Sequence, residues 1–305
     1  MAIGKKTKRW LSKNCPETFE GKSVLITGAT GGVGLKTAEV MIYLKAKVIM
    51  ACRNSEKAQN AKAALLAEYP AAEIDILRLD LADFGCIDGF VRQIRENGTD
   101  IDVFLNNAGV FHKPGERTAN GFDKVLGTNY LGVYYLTESI LPYLKTLPHE
   151  VLYVNTVSIV NKIATVDYGD FFYKENYNNF SVYARSKLCL SKYTCELSKR
   201  CDGTNIRALM SHPGIVMTPL SVGAFGNTVK RLSEVFGGIF NSPEKSSLAL
   251  PFIMANGVPA GSIVGPTKFF GGWGYPKINK IPRRVKTGGT ELLDFSKKQI
   301  NGVKR

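Results

Sequence analysis

The chain has no Cys-x-x-Cys pair among its six cysteines, and its three histidines stand singly. Neither a zinc site nor a disulfide framework follows from such spacing, so no metal is expected. No apolar run approaches the ~18 residues of a membrane span, because lysines or polar residues interrupt every one. The opening Met-Ala-Ile-Gly-Lys-Lys is basic with no apolar stretch behind it, so a secretory leader is not expected. Internal repeats, low-complexity tracts and Pro/Ser-rich linkers are also missing, which removes solenoids and bead-like domain strings. A reduced, cytoplasmic protein is the expectation.

What is present is globular. Of 305 residues 44% are hydrophobic and 22% charged, which excludes a disordered or collagen-like chain. The net charge of +14 is concentrated at the ends. Residues 1–13 carry five basic groups and no acid, and residues 268–305 carry ten against Glu291 and Asp294. Residues 14–267 hold 25 basic and 24 acidic groups and are almost neutral. A nucleic-acid protein would place its positive charge along a working groove, so no nucleic-acid partner is expected. The basic ends are read as solvated tails, with peripheral attraction to an anionic membrane surface as the second reading.

From Lys22 onward short apolar runs alternate with longer amphipathic stretches. Strands are expected at Ser23–Thr27, Lys47–Cys52, Glu73–Leu79, Ile101–Asn106, Val151–Asn155 and Asn205–Ser211. Helices are expected from about Val33 to Lys45, and at Ser55–Tyr69, Asp83–Asn97, Gly121–Leu144 and Val182–Arg200. Near-continuous apolar strands separated by helices indicate an α/β fold: one doubly wound parallel sheet with helices on both faces. The expected division is a basic N-terminal extension at 1–19, a Rossmann-type domain at 20–270 and a basic C-terminal extension at 271–305. The aromatic segment Ile159–Phe180 breaks the alternation and has no clear period; so long a loop in a compact domain tends to be functional or disordered, and its aromatics argue against disorder.

The first strand runs into Thr27-Gly28-Ala29-Thr30-Gly31-Gly32-Val33-Gly34 and then a helix. Glycines there let the backbone approach a pyrophosphate, and the helix N-terminus supplies amides and a favourable dipole. A nucleotide-triphosphate loop fails, because the glycines it needs before Lys36-Thr37 fall on Thr30 and Leu35. A dinucleotide is therefore expected. The second strand ends Ala51-Cys52-Arg53-Asn54, with no acid to bind ribose hydroxyls and with an arginine suited to a 2′-phosphate. NADP(H) is expected in preference to NAD(H).

Three further motifs add chemistry: Asn106-Asn107-Ala108-Gly109 after the fourth strand, Ser158 after the fifth, and Tyr183-Ala184-Arg185-Ser186-Lys187 opening a helix. With the glycine loop, Asn129, and Pro213-Gly214 followed by Thr218, they occur in the order of the short-chain dehydrogenase/reductase family. The chain resembles that family over roughly residues 20–270. The resemblance implies that Thr27, Gly28, Gly32, Val33, Gly34, Asn107, Ala108 and Gly109 cradle the cofactor. It places Asp80 at the adenine and Lys187 on the nicotinamide ribose, with Leu81, Pro213, Gly214 and Thr218 also among the cofactor-binding residues. Asn129 would position a water in a proton relay.

The residue types suit that chemistry. Tyr183 and Lys187 are four apart and share a helix face. An ammonium beside a phenol favours phenolate and would lower its pKa. So tuned, Tyr183 would exchange a proton with the substrate oxygen while Ser158 stabilises the developing charge. The hydride belongs to the cofactor.

Two departures are visible. Thr156-Val157 precede Ser158 where the family usually has serines. The gap from Ser158 to Tyr183 is 25 positions, about twice that of most classical members. With Trp273-Gly274-Tyr275 and the basic C-terminal region, this looks like the retinol dehydrogenase and protochlorophyllide reductase-like branch. That branch handles bulky apolar carbonyls and alcohols, retinoid-, steroid- or lipid-like, often near membranes. Phe171 and Phe172 of the long segment are expected to wall the substrate pocket, with packed structural padding as the second reading. Family members often form dimers or tetramers, so a homodimer or homotetramer is open. The alternatives are a non-catalytic NADP-binding sensor or scaffold on the same fold, and a sugar-nucleotide epimerase. The first usually loses the tyrosine or the lysine; the second needs a larger C-terminal domain.

Overall fold

A computed structural model describes residues 2–112, 115–172, 178–216 and 241–303. Eight strands form one sheet: β1 Ser23–Thr27, β2 Lys47–Cys52, β3 Ile74–Arg78, β4 Val103–Asn106, β5 Val151–Thr156, β6 Ile206–Ser211, β7 Ile263–Gly265 and β8 Lys277–Asn279. Their order is β3-β2-β1-β4-β5-β6-β7-β8. Every pairing is parallel except β7 with β8. The order reverses between β1 and β4, which opens a crevice at the carboxyl ends of those strands.

Alternation within strands builds two cores, one on each face. In β1, Leu25 faces one layer while Val24 and Ile26 face the other. The helices α1 Lys5–Asn14, α2 Gly32–Tyr43 and α3 Ser55–Glu68 contribute to the second layer. The first is covered by α4 Phe84–Glu96, α6 Gly132–Leu144 and α7 Asn179–Arg200. Before α6, the short α5 Lys124–Leu126 passes through a π-turn at Gly127–Leu131. A widened turn of this kind is often found at functional sites.

The reading of the basic ends as solvated tails is corrected. In α1, Thr7 and Leu11 are buried one turn apart, and Trp10 stacks on Tyr275 at 5.5 Å. The helix Gly289–Val303 buries Leu292, Ser296 and Ile300, again at four-residue spacing, and the Tyr130 and Ser296 hydroxyls meet at 2.6 Å. Within these two helices the basic residues, from Lys5 to Lys13 and at Lys297 and Lys298, are exposed, while the opposite faces dock on the domain. The strands β7 and β8 were also not anticipated; three residues each leave no periodic signal.

Candidate active site

The glycine loop is tied to the end of β4 by one hydroxyl. Thr27 Oγ1 accepts from the amides of Asn107 and Ala108, both at 3.0 Å, and Asn107 Nδ2 donates to Thr27 O at 3.1 Å. Two glycines are required by this closeness. Gly28 has a φ of +70°, and a Cβ there would stand 2.9 Å from Ala108 Cα. A Cβ on Gly34 would collide with Asn107 Nδ2 and the Gly28 carbonyl. The N-cap of α2 is Gly31, with no side chain to satisfy the first amides of the helix. Those amides face the crevice and suit an anion.

The crevice is a cavity of ≈ 820 Å³. At its anion end lie Thr27, Gly28, Gly32, Val33 and Gly34. Beside them the ends of β2 and β3 contribute Arg53, Asp80 and Leu81. Asp80 Oδ1 accepts from Ala82 N at 2.9 Å, which fixes the carboxylate at the rim. Further along stand Asn107, Ala108, Gly109, Pro213 and Gly214, and then Ser158, Tyr183 and Lys187. The wall of the cavity thus gathers most of the site expected from sequence. Thr218 lies outside the described residues.

Tyr183 and Lys187 project from one face of α7, with the ammonium 5.9 Å from the phenol ring centre. Lys187 Nζ donates to the Thr156 carbonyl at 2.9 Å. Burial pushes this lysine down to about 8. Burial pushes the Tyr183 phenol up to about 12, against the pull of its hydrogen bond with Ser158. Burial is the larger of these two influences on the phenol.

Asn129 stands in the π-turn, fully buried behind the cavity wall. Its Oδ1 accepts from Val110 N at 2.7 Å, and its Nδ2 donates to Val110 O at 2.9 Å and to Ser186 Oγ at 3.3 Å. A Cβ on Gly109 would lie 3.4 Å from Asn129 Oδ1 and 3.6 Å from Lys187 Nζ, so these two groups flank that glycine.

Phe171 and Phe172 are not on the cavity, which corrects the pocket assignment. Phe171 is 2% exposed and packs on Phe295 at 4.7 Å; Phe172 stacks on Phe122 at 5.5 Å. Rings that can bury against other rings gain more there than beside a water-filled crevice. The ends of the same segment do reach the cavity, through Ile159, Val160 and Phe180. Phe111 completes that apolar wall, its ring 5.8 Å from that of Tyr183. Sequence reasoning also missed Lys57 and Asn54, which line the cavity next to Arg53. Asn54 caps α3 by accepting from Lys57 N at 2.7 Å, a signal legible in Asn54-Ser55-Glu56-Lys57. Among the described residues one metal-like cluster exists, Asp100, Asp102 and His149. It lies at the opposite end of β4, and Asp102 is already engaged by Lys22 Nζ at 2.8 Å and Ser23 N at 2.9 Å.

A glycine cradle at a strand-order reversal, beside a serine, a tyrosine and a lysine on one wall, defines a nucleotide-dependent oxidoreductase class. The chain belongs to the short chain dehydrogenase family, whose model matches residues 22–226. It is an oxidoreductase acting on CH–OH and C=O groups, in a family that binds NAD(P). Retinol dehydrogenase 14 of Mus musculus is 35% identical over 228 residues, covering 71% of this chain and 68% of its own. Polyprenol dehydrogenase of Mus musculus is 32% identical over 242 residues, covering 77% and 72%. Among solved structures, a putative uncharacterized protein from Mycobacterium paratuberculosis is 27% identical with a TM-score of 0.75, covering 93% of this chain and 95% of that one. The retinol dehydrogenase-like branch expected from the long Ser158–Tyr183 gap is thereby supported. Among the described residues no helix is long and apolar enough to cross a membrane.

Proposed function

We propose that the protein transfers a hydride between NADP(H) and a bulky apolar aldehyde or ketone and its alcohol. The observation that carries this reading is the shared cavity wall: Ser158, Tyr183 and Lys187 stand beside the apolar surface of Phe111, Ile159, Val160 and Phe180. The names of the retinol and polyprenol dehydrogenases point to the same kind of substrate.

The glycine cradle suits a pyrophosphate, since Gly28 and Gly34 hold the loop tight against Asn107 and Ala108 and Gly31 leaves the first amides of α2 without a side-chain partner. Gly28, Gly32, Val33 and Gly34 would hold it, with Asp80 and Leu81 at the adenine and Arg53 on the 2′-phosphate. When bound, the nicotinamide supplies the hydride. Ser158 and Tyr183 hydroxyls orient the carbonyl oxygen and share its growing negative charge. Tyr183 Oη then gives its proton to that oxygen. A phenol held up near 12 by burial is protonated throughout the neutral range, the state that reduction requires. Lys187 holds the ribose. Asn129 pins the Val110–Phe111 wall and, facing Lys187 across Gly109, joins the path that returns a proton to Tyr183.

The test is NADPH oxidation with a panel of short aldehydes, ketones, retinoids and steroids. Turnover confined to, or strongest with, the large apolar members is the expected result. Tight NADPH binding with no turnover of any member would instead mark a sensor or scaffold.

A further inference from the structure

Phe269 and Phe270 stand side by side in the link between β7 and β8, 56% and 92% exposed. Both backbones are left-handed, with φ of 49° and 57°, a region that bulky side chains rarely adopt. The turn is held from below. Lys162 Nζ donates to Phe270 O at 2.9 Å, Gly272 N donates to Phe269 O at 2.9 Å, and Lys268 pairs with Trp273 across the base. A costly backbone is thus maintained in order to present two phenyl rings to solvent, where burial would favour the reverse. Ile163, 67% exposed and next in chain to Lys162, widens the apolar tip.

Beside these two rings lies a cluster of aromatic rings and ammonium groups, the Trp273 ring 6.4 Å from that of Phe269. Lys268 Nζ sits 5.0 Å from the Trp273 ring centre, and Lys245 Nζ sits 4.7 Å from Trp273 and 5.2 Å from Tyr275. Burial, followed by the neighbouring charges of Lys6 and Lys268, holds the Lys245 ammonium below its usual range. Among the described residues none of Lys6, Lys162, Lys245 or Lys268 has a carboxylate within ion-pair distance. Glu244, the neighbouring acid, accepts instead from Gly4 N at 2.8 Å.

The geometry points to a docking surface for an anionic lipid bilayer: Phe269, Phe270 and Ile163 enter the headgroup–acyl boundary while the four lysines meet the lipid charges. Exposed phenyl rings, indole and phenol rings and ammonium groups are the side-chain types that a bilayer interface takes up between hydrocarbon and water. A second copy of the chain is the poorer occupant. A symmetric contact through this patch would set two uncompensated lysine clusters face to face. The surface also adjoins the cavity. Ile215 N donates to Gly272 O at 2.9 Å, and a Cβ on Gly271 would lie 3.2 Å from Ile159 Cγ2; both isoleucines line the cavity. Docking therefore sets the apolar wall of the site beside the lipid. The docking itself stands on the loop and its charges and does not depend on the substrate reading.

The experiment is cosedimentation of the full chain with vesicles of phosphatidylcholine alone and of equimolar phosphatidylcholine and phosphatidylserine. The expected result is association with the anionic vesicles only, weakened by salt. Phe269→Ser with Phe270→Ser lowers the partition coefficient by about tenfold or more. Lys6→Gln and Lys268→Gln each lower it by about fivefold. Phe270→Gln alone changes a ring that is 92% exposed, so its loss of binding at unchanged Tm separates docking from folding. Failure of the wild-type chain to sediment with anionic vesicles overturns the proposal, as does undiminished binding by the phenylalanine variants. Conversion of a dimer to a monomer by Phe270→Gln, read by sedimentation equilibrium, would assign the patch to a second copy and also overturns it.

Discussion

The Arg185 guanidinium donates to the carbonyl oxygen of Phe171 at 3.0 Å, and through the same nitrogen to that of Asp170 at 2.5 Å. Arg185 lies between Tyr183 and Lys187 on α7 and is itself buried. The helical turn that carries the proposed proton donor therefore also clamps the long segment between Ser158 and that donor. Charged hydrogen bonds to carbonyls out of water are strong, and they draw Phe171 into the aromatic cluster with Phe295 and Tyr130.

Phe171→Ala should accordingly act on stability. Removing a fully buried ring costs roughly 3–5 kcal/mol. Urea unfolding should show a lower midpoint, while the preference between a large and a small substrate stays where it was. A changed preference with unaltered stability would return Phe171 to the pocket.

Tyr183→Phe keeps the ring against Phe111 and removes only the hydroxyl. Turnover should fall by ~10²–10⁴-fold, the span of general acid catalysis. Affinity for NADPH, followed by fluorescence titration, should be nearly unchanged. Near wild-type kcat on a good substrate would rule Tyr183 out as the donor.

Arg53→Ala should weaken NADPH far more than NADH. A charged hydrogen bond is worth roughly 1.5–3 kcal/mol, or about ten- to hundredfold in affinity. Lys57 lines the same end of the cavity and leaves some positive charge behind, so the loss belongs at the lower end of that span. Equal losses for both cofactors would show that Arg53 does not read the 2′-phosphate.

Phe111→Ala removes an apolar face beside Tyr183. kcat/KM for a bulky apolar carbonyl should drop about tenfold, in line with the burial of one aromatic side chain. A short aldehyde, too small to reach that face, should be much less affected. Paired kcat/KM values decide it, and parallel losses would count against Phe111 as a substrate contact.

His212, next to Pro213 and buried, has no hydrogen-bond partner at Nδ1 among the described residues, and burial pushes it from 6.5 down to about 4. The folded chain thus resists a proton that the unfolded chain accepts. Stability from this group is complete above about pH 6.5 and is lost as pH falls toward about 4, with a total on the order of 3 kcal/mol. Urea midpoints of wild type and His212→Gln, compared at neutral pH and near pH 4.5, should show the wild type losing more on acidification. The same acid loss in both would remove His212 from the account.

The local parts of this protein were legible in its sequence. Branched strands, glycines at 28 and 34, and a tyrosine and lysine one helical turn apart each depend on neighbours within a few positions. Their physics is that of backbone sterics and helix periodicity, which any window of the sequence displays. Only the tertiary structure decided what the aromatic rings do. Phe171 and Phe111 look alike in sequence, yet one packs on Phe295 and the other on Tyr183. It also turned two basic ends into docked helices, through contacts such as Gly4 with Glu244 and Tyr130 with Ser296. It raised the Tyr183 phenol as well, because a pKa depends on how much water surrounds the group, and burial is decided by segments far apart in the chain.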